Sequence, residues 1–169
     1  AILSDPARRT ALAQNAAAVV REKGYGGIDV DFEYIPAENA ADYAAFAAEV
    51  RAAVGEGYPV FVALAPKYSA DQQGLLYQGH DYSALGEAAD AALLMTYEWG
   101  YTYGVPLPVS PINEVRRVID YALTEIPPQK LFVGIPNYGY DWPLPFRRGQ
   151  TVARTIGNVE AVEIAERYR

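Results

Sequence analysis

Three carboxylates alternate with three apolar side chains near the start of the chain. Asp29, Asp31 and Glu33 are separated by single apolar residues within the segment GGIDVDFE at 26–33. On a β-strand this period of two puts the acids on one face, with neighbours roughly 6.5–7 Å apart. Like charges at that spacing repel one another and resist desolvation, so a folding chain avoids the arrangement unless a site needs it. Such a row could transfer protons, or it could bind Mg²⁺ or Ca²⁺ through carboxylate oxygens.

The composition narrows the choice of partner. The 169 residues carry a net charge of −7, without a basic stripe, which argues against a nucleic-acid partner. Cysteine is absent, so disulfides and thiolate metal sites are excluded. No apolar run is long enough to span a bilayer, so no membrane partner is predicted. The 14 tyrosines against 5 phenylalanines favour a sugar-like ligand, because each tyrosine combines an apolar ring with a hydroxyl.

Two further polar residues have alternative interpretations. His80 is the single histidine and precedes Asp81 in a predicted loop, so we expect a solvated residue rather than a catalyst or ligand. Asp141 precedes Trp142 and a proline, a context typical of a turn, although the carboxylate could also bind sugar. The chain offers neither a convincing fourth carboxylate nor a phosphate-binding loop, so no metal or other cofactor is predicted.

The elements that must position these residues alternate along the chain. Strands are predicted at 26–33, 59–66, 91–97 and 130–136. Helices are predicted from Asp5 to Gly24, from Tyr43 to Gly55, at 81–89, from Ser110 to Ile126, and from an Asn158 cap to the C-terminus. The alternation of strands with helices, together with continuous apolar strands, indicates an α/β protein with a parallel sheet.

Long aromatic loops follow the predicted strands. They cover 67–80, 98–110 and 138–157. The aromatic residues at or just beyond the strand ends are Tyr34, Tyr68, Tyr77, Tyr97, Trp99, Tyr101, Tyr103, Tyr138, Tyr140 and Trp142. In βα-barrels the chemistry sits at the C-terminal ends of the strands. The clustering therefore predicts a platform on which sugar rings stack.

Four ordered segments resemble one enzyme family. GIDVDFE at 27–33 resembles the catalytic strand of family-18 glycoside hydrolases, whose signature DGxDxDxE lies on the fourth strand of a (β/α)8 TIM barrel. Gly26 stands where that family has its first Asp. The segments at 63–67, 95–98 and 134–140 are similar to its fifth, sixth and seventh strands, with Glu98 replacing an Asp. The stretches 95–101, 106–111 and 137–142 resemble the branch of spore-cortex and cell-wall peptidoglycan N-acetylglucosaminidases.

The resemblance implies a mechanism with named residues. Glu33 would be the general acid, and it would need to hold a proton near neutral pH, which burial and the charge of Asp31 favour. The substrate's own N-acetyl oxygen would attack the anomeric carbon. Asp31 would orient the acetamide, Asp29 would share a proton with Asp31, and Tyr97 would hydrogen-bond the acetamide carbonyl. The expected substrate-binding residues are Glu98, Trp99, Tyr138, Tyr140, Tyr34 and Trp142.

The resemblance also implies how the chain is organised and where it acts. Residues 1–169 would be part of one catalytic domain without an internal boundary, carrying about strands 4–7 of the barrel. We therefore expect a segment of a longer chain, with LysM modules as further partners; a partner chain or a self-paired half-barrel are alternatives. The expected substrate is the N-acetylated glycan of peptidoglycan, in the spore cortex, spore coat, cell wall or outside a spore-forming bacterium. A chitinase and a non-catalytic sugar-binding member of the same fold remain alternatives.

Overall fold

The structure, a computed structural model, describes residues 2–168. Its helices are α1 (Pro6–Lys23), α2 (Ala40–Val54), α3 (Leu75–Gln78), α4 (Tyr82–Ala88), α5 (Ile112–Glu125) and α6 (Asn158–Arg167). Its strands are β1 (Ile28–Val30), β2 (Val60–Leu64), β3 (Ala91–Leu94), β4 (Leu131–Val133), β5 (Tyr138–Asp141) and β6 (Arg154–Gly157). The chain divides into two compact units: the first contains residues up to 95 and 118–133, and the second contains 96–117 and the residues from 134 onward.

A parallel sheet forms the centre of the first unit. Strands β1 to β4 lie side by side in chain order, and each pair of neighbours is parallel. The register pairs Val30 with Val62 and Leu64 with Leu94. Helices connect the strands, and β2 is buried along most of its length. The predicted α/β class with a parallel sheet is confirmed.

The strands end earlier than the sequence pattern predicts. The acidic strand predicted at 26–33 pairs with its neighbour only over β1, and those predicted at 59–66, 91–97 and 130–136 shorten to β2, β3 and β4. The pattern reports which way side chains face, whereas a strand also needs a neighbour's backbone groups. Asp31 and Glu33 therefore lie just beyond β1, not within it.

Local sequence signals set the helix ends. Asp5 accepts hydrogen bonds from the N–H groups of Ala7 and Arg8 at the start of α1, and Gly24 ends that helix in the left-handed conformation, with φ 68°. Asp81 caps α4 by accepting a hydrogen bond from the N–H of Ala84 at 3.0 Å. Both caps agree with the predicted boundaries. None of the described helices is long and apolar enough to cross a membrane.

A β-hairpin in the second unit was missed from the sequence. Strands β5 and β6 pair antiparallel inside the segment expected to be an aromatic loop, with Tyr140 opposite Thr155. Asp141 lies in this hairpin and forms an ion pair of 3.5 Å with Arg154, so its interpretation as turn chemistry is wrong. The predicted Asn158 cap is also wrong: α6 begins at that residue, and no side-chain cap bond precedes it.

Gly79 allows a close approach between the loop before α4 and the segment after β1. A Cβ at Gly79 would lie 2.2 Å from the carbonyl oxygen of Ile35 and 2.5 Å from its Cβ. Because backbone atoms cannot move aside cheaply, we expect Gly79→Ala to lower the free energy of unfolding by about 1–3 kcal/mol. Urea denaturation measures this, with Gly26→Ala as the control, since a Cβ there meets nothing within 4 Å. Equal stability losses in the two variants would contradict the close packing.

Candidate active site

The three acids of the first unit face away from its core. Asp29, Asp31 and Glu33 are exposed, whereas Val30 is buried and Phe32 is half-buried between them. The alternation therefore continues through residue 33, although β1 ends at residue 30. The prediction that the acids share one face agrees with these exposures. They project at the C-terminal end of a parallel strand, where βα-barrels carry their chemistry.

A tyrosine hydroxyl takes over the hydrogen bonding where β1 ends. The hydroxyl of Tyr43 on α2 donates to the carbonyl oxygen of Val30 at 3.1 Å and accepts from the N–H of Phe32 at 3.4 Å. The ring of Phe32 stacks on those of Tyr43 and Phe46, with centroids 5.8 and 5.2 Å apart. These contacts anchor the backbone and the inward-facing side chain between Asp31 and Glu33.

His80 is a buried bridging residue, so the prediction of a solvated loop histidine is wrong. Its exposed fraction is 0%. The N–H of Ala65 donates to Nδ1 at 3.0 Å, and Nε2 lies 3.0 Å from the carbonyl oxygen of Phe32. Because an N–H can only donate, Nδ1 must be unprotonated, and Nε2 therefore carries the proton that it donates to Phe32. Burial is the main cause that lowers the pKa of His80 to about 4.

The segment after β2 is held in a similar way. The hydroxyl of Tyr82 donates to the carbonyl oxygen of Ala65 at 2.6 Å and accepts from the N–H of Lys67 at 3.1 Å. The ammonium of Lys67 is buried and donates to the carbonyl oxygens of Ala70 and His80. Burial lowers the pKa of Lys67, and nearby acids, with Asp81 first among them, oppose that shift.

The surroundings of Asp29 raise the pKa of its carboxyl. Partial burial of the carboxyl and, second, the negative charge of Asp31 raise the pKa of Asp29. A raised pKa favours the protonated form, as expected for an acid that shares a proton with its neighbour. Glu33 is exposed in the described chain, so the burial expected for it is not found.

A second group of site residues forms within the second unit. The hydroxyls of Tyr138 and Tyr140 on β5 both donate to Oε1 of Glu98, at 2.5 and 2.8 Å. Burial and then the bond to Glu98 raise the pKa of each phenol. Trp142 packs against Tyr140, with ring centroids 5.9 Å apart, and its Nε1 donates to the carbonyl oxygen of Gly104. Tyr138, Tyr140 and Trp142 also line an open cleft of about 570 Å³.

Two candidate residues have strained backbones. Tyr34 and Glu98 adopt φ values of 55° and 68°, in the left-handed region that is costly for residues with a Cβ. Each directly follows another candidate residue, Glu33 in one case and Tyr97 in the other. Such strain persists only where the surrounding structure fixes it, and it clusters at functional sites.

The predicted site residues are divided between the two units. Asp29, Asp31, Glu33 and Tyr34 belong to the first unit. Tyr97, Glu98, Trp99, Tyr138, Tyr140 and Trp142 belong to the second. Tyr97 and Trp99 are half-buried on either side of Glu98. Within residues 2–168, no group of three His, Asp or Glu side chains is placed to hold a metal ion.

Sequence reasoning missed the residues that support the acids. Tyr43 begins the helix predicted from Tyr43 to Gly55, and the helical pattern gives no separate signal for its hydroxyl. The loop position of His80 predicts a solvated side chain. The signal against this prediction is Asp81 beside it, which caps α4 and so marks the end of the loop.

Comparisons with known proteins place these observations in context. The family model for glycosyl hydrolases family 18 matches residues 1–166. The cortical fragment-lytic enzyme of Bacillus subtilis (strain 168) is 45% identical over 166 residues, which are 98% of this chain and 38% of that protein. The solved spore cortex-lytic enzyme SleL of Bacillus cereus has a TM-score of 0.92 at 36% identity, over 99% of this chain and 39% of that one. A solved chitinase of Chromobacterium violaceum ATCC 12472 has a TM-score of 0.86 at 26% identity, over 96% of this chain and 50% of that one.

The buried imidazole should make folding stability depend on pH. Between pH 6.5 and about 4, the unfolded chain binds a proton at His80 that the folded protein does not bind. The contribution of His80 is complete above pH 6.5, and the free energy of unfolding should fall by up to about 3 kcal/mol as the pH falls through this range. Urea denaturation at a series of pH values measures this. His80→Gln removes the titrating group, so parallel curves for the variant and the unmodified protein would contradict the prediction.

Proposed function

Because the chain belongs to glycosyl hydrolases family 18, its four parallel strands are part of that family's (β/α)8 barrel, and we propose that it carries the acid-bearing part of a glycosidase. The proposed reaction is hydrolysis of β-linked N-acetylglucosamine in the peptidoglycan of the spore cortex. The observation that carries the proposal is the row of Asp29, Asp31 and Glu33, exposed where β1 ends. The 45% identity to a cortical fragment-lytic enzyme supports peptidoglycan as the glycan.

In the proposed mechanism, Glu33 is the general acid that protonates the leaving glycosidic oxygen. A retaining glycosidase usually needs a second carboxylate as nucleophile about 5–5.5 Å from the acid, but family 18 uses the substrate's acetamide instead. Asp31 orients the acetamide N–H and stabilises the positive intermediate. The raised pKa of Asp29 supports its role of sharing a proton with Asp31. Glu33 is exposed here, so bound glycan or further protein would have to supply the burial that favours its protonated form.

The second unit supplies the proposed sugar-binding residues. Tyr97 would hydrogen-bond the acetamide carbonyl. Glu98 is held through Oε1 by the two phenols of β5, so we assign Oε2 to a sugar hydroxyl or to the incoming water. The aromatic rings of Tyr34, Trp99, Tyr138, Tyr140 and Trp142 would stack on or bond to the glycan.

The chain spans about 40% of the length of the two cortex-lytic relatives. Residues 1–169 are therefore proposed as part of one catalytic domain whose remaining strands come from further polypeptide, with LysM modules as additional partners. Action in the spore cortex or cell wall of a spore-forming bacterium is proposed on the same grounds. On this proposal the isolated segment has weak activity or none. Activity is therefore to be measured on the full-length protein that contains this segment.

A chitinase is the second candidate function, because the chain also superposes on a solved chitinase with a TM-score of 0.86. The two candidates share their chemistry and differ in the glycan. Release of reducing ends from cortex muropeptides, compared with release from chitin oligomers, distinguishes them.

Removing the proposed acid should slow turnover strongly without abolishing glycan binding. Glu33→Gln should lower kcat about 10²–10⁴-fold, because the amide cannot protonate the leaving oxygen. Reducing-end release from the N-acetylated glycan measures this, with Glu38→Gln as the control in the exposed 3-10 turn Ala37–Asn39. Binding of glycan without turnover in the unmodified protein would instead favour a non-catalytic sugar-binding member of the fold.

The substrate should need its N-acetyl group. An aryl β-N-acetylglucosaminide should be hydrolysed at least about 100-fold faster than the matching aryl β-glucoside, because only the former carries an internal nucleophile. Initial rates of aryl alcohol release from both compounds measure the ratio. Efficient cleavage of the glucoside would overturn the acetamide-assisted mechanism.

A further inference from the structure

The parallel ladder between β1 and β2 ends at Val30, one residue before Asp31. The N–H of Ile28 donates to the carbonyl oxygen of Pro59, and Val30 pairs with Val62. Continued by two residues, this register would join the carbonyl oxygen of Phe32 directly to the N–H of Ala65. That bond is not formed. The imidazole of His80 lies between the two groups, 3.0 Å from each.

We infer that His80 is a positioning residue for the acidic segment, because its ring replaces this missing rung and sets the backbone path on which Asp31 and Glu33 project. The catalytic consequence rests on the proposed function. The geometric part of the inference stands on the hydrogen bonds of His80.

A neutral imidazole suits this place because one rigid ring presents an acceptor on one side and a donor on the other. Nδ1 satisfies the N–H of Ala65, and the Nε2 proton satisfies the carbonyl of Phe32. The inserted ring lies between the segment that follows β1 and the segment that follows β2. The same register would pair the N–H of Phe32 with the carbonyl oxygen of Ala63. That N–H instead donates to the hydroxyl of Tyr43.

His80 is itself fixed from several sides. The ammonium of Lys67 donates to its carbonyl oxygen at 2.9 Å, and its ring packs against that of Tyr43 with centroids 5.6 Å apart. Gly79, the residue before it, lies directly against Ile35. A ring that is hydrogen-bonded through both nitrogens and packed against Tyr43 can hold the Phe32 carbonyl in one position.

Phe32 lies between Asp31 and Glu33, so a displaced carbonyl turns both acidic side chains. A misplacement of about 1 Å at a catalytic group can lower the rate about 100-fold. His80 does not need to touch the substrate for this effect. Its loss should therefore lower kcat, with little change in KM.

Three substitutions separate the two hydrogen bonds. His80→Leu removes both. His80→Gln places an amide NH₂ near the position of Nε2 and keeps a donor for Phe32, whereas His80→Asn places an amide oxygen near the position of Nδ1 and keeps an acceptor for Ala65. We expect kcat to fall about 10–100-fold in the Leu and Asn variants and to recover to within a few-fold of the unmodified value in the Gln variant.

Amide hydrogen exchange gives a readout that does not depend on activity. The Phe32 N–H bonds to the hydroxyl of Tyr43 and not to His80, so its exchange reports whether this segment keeps its place. If His80 holds the Phe32 carbonyl, the Phe32 amide should exchange faster in the Leu and Asn variants than in the unmodified protein, and the Gln variant should keep its protection. The Ala65 amide should lose protection in the Leu variant and keep it in the Asn variant. Val118 is buried on α5, so Val118→Ala leaves a cavity there and lowers stability. This variant controls for general loss of stability.

The outcomes separate this inference from the proposed function. An unchanged kcat in the Leu variant, or a loss of kcat that follows unfolding stability equally in all three variants and in Val118→Ala, overturns the inference. If the unmodified full-length protein hydrolyses no N-acetylated glycan, the proposed function fails. Exchange then decides alone: faster exchange at Phe32 in the Leu variant supports the positioning role, and unchanged exchange overturns it.

Discussion

Backbone groups that leave a parallel sheet must find new hydrogen-bond partners, and this requirement shapes the strand ends of the first unit. The hydroxyls of Tyr43 and Tyr82 each bridge a backbone carbonyl to the N–H two residues later, one after β1 and the other after β2. His80 joins the two segments through its ring. Side chains from α2 and from the residues around the start of α4 thus supply the hydrogen bonds that a neighbouring strand would otherwise supply. Asp31 and Glu33 lie beyond the end of β1, and side-chain hydrogen bonds to Phe32 fix the backbone between them.

The second unit meets the same requirement with other side chains. The hydroxyl of Thr96 donates to the carbonyl oxygen of Gly134 at 2.9 Å, and the hydroxyl of Ser110 donates to the backbone carbonyl oxygen of Thr96. One residue beyond Tyr97, Glu98 adopts a left-handed conformation and receives two phenol hydrogen bonds from β5. Charge-assisted bonds of this kind are stronger than neutral ones, so they can support a strained backbone. In each unit, an acid near a candidate site is held by groups far from it in the chain.

The three acids must be kept in place although their charges repel one another. Three acids within five residues repel one another, and exposure to water limits the cost of that repulsion. The effect remains visible at Asp29, whose pKa is raised by partial burial and by the charge of Asp31. Position is set by other groups: buried aromatic and imidazole contacts hold the backbone between Asp31 and Glu33.

The sequence by itself determined the order of the four parallel strands, the common face of the three acids, and the family with its barrel fold. Those features depend on local periodicity, helix caps and short ordered motifs, all of which are written along the chain. It did not determine where the strands stop, the β5–β6 hairpin, or the burial of His80. His80 and Phe32 are 48 residues apart, and Tyr140 and Glu98 are 42 apart. Only the tertiary structure decides such contacts, because a local pattern holds no information about which distant backbone group will need a partner.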